Sequence, residues 1–97
     1  MASEPTVADN PSASRFEITV DGKVAGFSEY QRSDGEIEFT HTIVDDAYEG
    51  QGLGSTLVAA ALDEVRRDGV QVVATCPFVK KYIARHREYA DLLAPGH

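Results

Sequence analysis

The apolar pattern of this chain changes its repeat length once, and the change falls on glycine. From Arg15 to Val44 hydrophobic and polar residues alternate along the extended runs. From Leu53 onward the hydrophobic residues recur every three or four positions, and between the two lies Glu49-Gly50-Gln51-Gly52-Leu53-Gly54-Ser55. A period near two marks strands and one near 3.6 marks a helix. The chain must therefore pass from sheet to helix through a junction in which three residues of five, Gly50, Gly52 and Gly54, are glycine.

Upstream, Arg15–Val20 sets Phe16, Ile18 and Val20 on one face and Glu17 and Thr19 on the other. Asp21-Gly22 is a type I′ hairpin signal. Val24–Arg32 is the return strand, and Ser33-Asp34-Gly35 the next turn. Glu36–Val44 alternates again, with Ile37, Phe39, His41 and Ile43 in register on the inward face and Thr40 and Thr42 opposite. These are three strands of an antiparallel meander. Residues 1–13, rich in Ala, Ser, Pro, Asp and Asn without apolar period, read as a flexible tail.

Downstream, Leu53, Leu57, Val58, Ala61, Leu62 and Val65 make a wide helical stripe, with Asp63, Glu64, Arg66 and Arg67 opposite. Asp68-Gly69 supplies the stop. Val70–Thr75 is short and nearly all apolar, which predicts a strand buried on both faces. Pro77 suits the first position of a second helix, carried by Val79, Tyr82, Ile83 and His86, and Glu88–Leu93 predicts a last short one. The fold class is α/β (α+β): a twisted, mostly antiparallel sheet of three meander strands and one further strand, with helices packed on it. Residues 14–97 are expected to form one domain.

A strand that enters a glycine turn and then a helix is an anion-binding arrangement. The first helical turn carries N–H groups without intrahelical partners, and the macrodipole makes that end partly positive. Gly50, Gly52 and Gly54 let a bulky anion approach the backbone, and Ser55 adds a hydroxyl. Spacing separates the nucleotide motifs. No lysine follows these glycines, so a P-loop is excluded, and the dinucleotide fingerprint fails at its third glycine, where Ser55 or Leu57 falls. A plain turn that only redirects the chain is the alternative.

The charge of −7 argues against a nucleic-acid partner and suits a cationic one such as an amine. No apolar run approaches a membrane span, and the N-terminus lacks the basic and apolar regions of a signal peptide. The single cysteine, Cys76, fits a reducing cytoplasm. His86 and His97 form no metal-ligand spacing with each other or with Cys76, so no metal is expected.

Gly50-Gln51-Gly52-Leu53-Gly54-Ser55-x-Leu57 resembles motif A of the GCN5-related N-acetyltransferases. The downstream run Cys76-Pro77-Phe78-Val79-x-x-Tyr82-Ile83-x-Arg85-His86-x-Glu88-Tyr89-x-Asp91-Leu92, with His41-Thr42, resembles the small truncated subfamily that includes the NATD1-type proteins. The resemblance spans about Arg15 to Leu93. It implies a minimal form of that fold, with acetyl-coenzyme A wedged where two neighbouring strands splay apart. It also implies that the backbone N–H groups of Gln51, Gly52, Gly54 and Ser55 hold the pyrophosphate, and that the backbone of Ile43 and Val44 pairs with the pantetheine arm. The chain departs from the family pattern at Glu49, where Gln or Arg is usual. It also lacks the helices that larger relatives insert after the first strand and that shape the acceptor site.

Cys76 is the first candidate for the chemistry. It ends the expected buried strand and precedes a helix, whose N-terminus favours a thiolate. It is a candidate nucleophile or proton shuttle. His41 is a candidate base, placed to meet Cys76 if the third strand and Val70–Thr75 are the splayed pair. The resemblance makes Tyr82 a candidate coenzyme contact able to donate a proton to the departing thiolate, with simple packing as the alternative; Lys80, Lys81 and Arg85 are candidate contacts to a 3′-phosphate, with solvated surface as the alternative. The expected activity is acetyl-CoA-dependent N-acetylation of an amine by a monomer or homodimer. The alternatives are a non-catalytic acyl-CoA-binding module and a fold relic acting through a protein partner.

Overall fold

The computed structural model describes residues 4–48 and 50–95, so Glu49 and His97 lie outside the described residues. Five strands form one sheet in the order β1-β2-β3-β4-β5: β1 Thr6–Asn10, β2 Arg15–Val20, β3 Lys23–Ser33, β4 Glu36–Val44 and β5 Gln71–Ala74. The first four are antiparallel neighbours, and β5 returns parallel to β4 after the helix α1, Leu53–Asp68. Helix α2, Pro77–Arg85, and a 3-10 segment, Arg87–Leu92, follow.

The local signals explain the meander. Asp21 and Gly22 both take positive φ, 53° and 78°, as a type I′ turn demands. The core is built by inward residues of the sheet against the helical stripe. Phe16, Tyr30 and Phe39 form an aromatic cluster with ring centroids 5.4–6.5 Å apart. Against them lie Leu57, Val58, Leu62 and Val65, none more than 1% exposed. Gly69, in the left-handed region, closes α1 by donating its N–H to the carbonyls of Arg66 and Val65.

Two expectations are corrected. The stretch read as a flexible tail includes β1, which pairs with β2 from Thr6↔Thr19 to Asn10↔Arg15. Its order comes from the ladder and from polar contacts. The Tyr30 hydroxyl donates to Asp9 at 2.5 Å and Asn10 Nδ2 donates to Glu17 at 3.2 Å, so the strand needs no apolar alternation. The second correction concerns β5, which is an edge strand. Val72 is fully buried, but Val73 and Ala74 are only partly so. Beyond it the chain contributes a bridge, Val72↔Leu93, and a bond from Ala94 N–H to the Val72 carbonyl at 2.9 Å. Arg66 holds the intervening segment through Asp91 at 2.9 and 3.0 Å and the Glu88 carbonyl at 2.7 Å.

Candidate functional site

The ladder between β4 and β5 is short. It runs Glu36↔Gln71 to Phe39↔Ala74 and closes with Cys76 N–H donating to the Phe39 carbonyl at 2.8 Å. Past that bond the chain turns into α2 at Pro77, while β4 continues to Val44 beside β3 alone. The two strands diverge as the resemblance implies, and the backbone of Thr40–Val44 has no β5 partner on that side.

The direction of the β4 side chains differs from simple alternation. Glu29 pairs with His41 but Tyr30 pairs with Phe39, so Thr40 is an extra residue, a β-bulge. The inward set is Ile37 and Phe39 before the bulge and Thr42 after it. His41 is therefore turned away from Cys76 and is exposed, and Ile43 is 44% exposed on the same side. The expected His41–Cys76 pair does not form. Thr42 takes that place: its Oγ1 accepts from Cys76 Sγ at 3.4 Å and lies 2.9 Å from the Oγ of Ser28, which is 0% exposed. Nothing local marks Thr40 as a bulge, so counting by twos runs straight past it. Cys76 itself is 3% exposed, at the N-cap of α2, with no side-chain cap bond of its own.

The mouth of the divergence is the glycine junction. Gly50 and Gly52 hold φ of 83° and 71°, and a Cβ on either would stand in open space. Glycine here permits the backbone path and keeps that space clear. Gly54 has a different cause: a Cβ there would fall 2.7 Å from Cζ of Phe78, whose ring lies over the helix start. The first bond inside α1 runs from Thr56 N–H to the Gly52 carbonyl at 3.2 Å, which leaves the N–H groups of Leu53, Gly54 and Ser55 without intrahelical partners. No side chain among the described residues caps them. The Gln51 N–H, expected among the donors, is engaged by the Tyr48 carbonyl at 3.3 Å. The Leu53 N–H, outside the expected set, joins those of Gly54 and Ser55 as a group without an intrahelical partner. Val44, Tyr48 and Phe78 wall the hollow.

Tyr82 lies six residues beyond Cys76, roughly 9 Å along the helix axis. It faces a groove shared with Ser55 and Phe78 and stacks on His86 at 4.0 Å. Burial, with Glu88 and Asp63 adding their charge, raises its phenol above the ordinary value. Tyr89, buried and donating to Asp63 at 2.8 Å, is pushed up to about 12. No group of three or more metal-ligating side chains occurs among the described residues, and no described helix is long and apolar enough to cross a membrane.

Diverging strands, an uncapped helix start and a glycine path between them match a known pattern. Residues 15–92 fit the family described as GCN5-related N-acetyl-transferase. The chain belongs to that family. Protein NATD1 of Mus musculus is 34% identical over 61 residues, 61% of this chain and 56% of that protein. The chain thus spans about half the length of this relative. The solution structure of a GCN5-like protein from Staphylococcus aureus superposes with a TM-score of 0.69 at 26% identity, covering 95% of this chain and 93% of that one. The family member YhbS from Escherichia coli, solved in complex with CoA, shares the fold with a TM-score of 0.60 at 19% identity, covering 76% of this chain and 62% of that one.

Proposed function

We propose that the chain is an acetyl-CoA-dependent N-acetyltransferase for an amine acceptor. The observation that carries the reading is the opening of the β4–β5 ladder onto an uncapped helix N-terminus. The residues fit the coenzyme. The N–H groups of Leu53, Gly54 and Ser55 would hold the pyrophosphate, and the free edge of Ile43 and Val44 would pair with the amide groups of the pantetheine arm. When bound, the coenzyme supplies an activated acetyl thioester.

Cys76 closes the ladder at the inner end of this path, with Thr42 orienting its thiol. In a covalent route its sulfur attacks the acetyl carbon. The bond to the coenzyme sulfur breaks, and the thiol proton passes to that sulfur. The amine then attacks the same carbon, the bond to the Cys76 sulfur breaks, and the amine's proton returns to that sulfur, restoring the thiol. In a direct route the amine attacks the thioester and Cys76 relays the proton. Tyr82, protonated at neutral pH and lining the groove, contributes to coenzyme binding.

The test is intact mass after incubation with acetyl-CoA under neutral, non-reducing conditions, for the wild type and Cys76→Ala. An adduct of one acetyl group that is absent from the variant is the expected result of the covalent route. Calorimetric binding without an adduct, with coenzyme thiol released when amines are added, assigns the direct route. A second reading, the acyl-CoA-binding module, is favoured by one feature: the first strand, β1, is joined to β2 by nothing longer than the 3-10 turn Pro11–Ala13. No α-helix stands there to wall an acceptor. Binding without thiol release across a panel of amines would assign that reading, and no binding at all would overturn both.

A further inference from the structure

Helix α2 carries a charge pattern foreign to the rest of the chain. The protein has a net charge of −7, yet Pro77–Arg85 holds Lys80, Lys81 and Arg85 and no acid. Phe78, Lys81, Tyr82 and Arg85 fall at i, i+3, i+4 and i+7, one continuous face. With Ser55 and His86 they line a groove of about 260 Å³. Ser55 and Phe78 also line the glycine hollow, so the two concavities are one path that turns from the end of α1 onto the face of α2. Among the described residues neither Lys81 nor Arg85 has an ion-pair partner. The groove has an aromatic side, where Tyr82 stacks on His86 at an interplanar angle of 15° and the Phe78 ring is 42% exposed.

A larger hollow of about 370 Å³ lies on the other flank of α2, with Lys80, Ile83 and Leu93 in its wall. It shares no lining residue with the glycine hollow. Continuity with the phosphate-binding end therefore selects the smaller groove.

We propose that the Lys81/Arg85 face of α2 binds the 3′-phosphate of coenzyme A and makes the protein select the 3′-phosphorylated nucleotide. The inference rests on the coenzyme reading of the glycine hollow. A coenzyme whose pyrophosphate sits at Leu53–Ser55 and whose thioester end points toward Cys76 must leave the hollow at its adenosine end past Ser55 and Phe78. Its phosphomonoester, a dianion, then meets the two cations, and its purine has the aromatic side to stack on.

Calorimetry with CoA and with dephospho-CoA tests this on the full chain. The wild type binds CoA at least about tenfold more tightly, the size of one charge-assisted contact. The Lys81→Ala/Arg85→Ala pair brings the ratio near one and leaves the dephospho-CoA dissociation constant within about twofold of wild type. Lys81→Gln/Arg85→Gln does the same with side-chain bulk retained. Lys80→Ala removes one charge from the same helix on its other flank and keeps the preference. A wild type that binds both ligands equally overturns the assignment, as does a double variant that keeps the preference. In either case coenzyme binding, and the function proposed above, still stand. A wild type that binds neither ligand overturns both readings together.

Discussion

The two halves of β4 are built from one alternating run and do different work. Over Glu36–Phe39 the strand has neighbours on both sides, and Ile37 and Phe39 are 0% and 1% exposed. Over His41–Val44 it keeps β3 alone, and Ile43 is 44% exposed. Thr40, the extra residue, separates them. Where the ladder is complete, the side chains carry the value of the strand by filling the core. Where it is open, the backbone does, because its free N–H and C=O groups must find a partner. A cleft suited to an amide-bearing ligand thus needs no special side chains on β4. It needs a partner strand that leaves early, and Pro77 ensures that β5 does.

The sharpest way to break this comparison is to truncate one side chain in each half. Phe39→Ala is expected to cost about 3–5 kcal/mol in urea unfolding, the range for a buried aromatic. Ile43→Thr keeps strand propensity and should stay within about 0.5 kcal/mol. Equal losses at the two positions would mean that the open half is as much a part of the core as the closed one.

A smaller effect sharpens the boundary between the halves. Thr42→Val keeps the shape but strands the Ser28 hydroxyl in the core, at a cost of about 1–3 kcal/mol. Adding Ser28→Ala removes the orphaned group and should recover much of that loss. A double variant that shows the plain sum of the two single losses would mean that the hydroxyls do not act as a pair.

The smallest effect lies at the far end of α1, outside the cleft. The folded state holds the Tyr89 proton more tightly than the unfolded chain, with a value of about 12 against an ordinary 10.0. That contribution is fully present below pH 10 and is lost as the pH rises toward 12. Solvent screening keeps it to about 1 kcal/mol or less. Thermal unfolding of Tyr89→Phe should show a shallower alkaline decline than wild type, with no change in coenzyme affinity at neutral pH.

The parts of this arrangement that local chemistry decides were legible in the residues. Asp21-Gly22 must turn, Gly69 must cap, Pro77 must start a helix, and the stripe from Leu53 to Val65 must face a core. The diverging strand pair followed from the resemblance. What escaped depends on neighbours distant in sequence. Thr40 is a bulge only because of how β4 meets β3, and that step turned His41 outward and Thr42 inward. Thr6–Asn10 is a strand because β2 offers an edge and Tyr30 offers a hydroxyl. Gly54 was legible as a required glycine, but its reason, the Phe78 ring, lies 24 positions away.

The outer edge of β5 closes the account of the sheet. Leu93 and Ala94 occupy part of it, and the segment that brings them there is tied back to α1 by the guanidinium of Arg66. An uncovered strand edge is a template for pairing with another chain. Release of that segment would therefore do more than loosen a terminus: it would uncover backbone donors and acceptors of β5 that another chain could pair with.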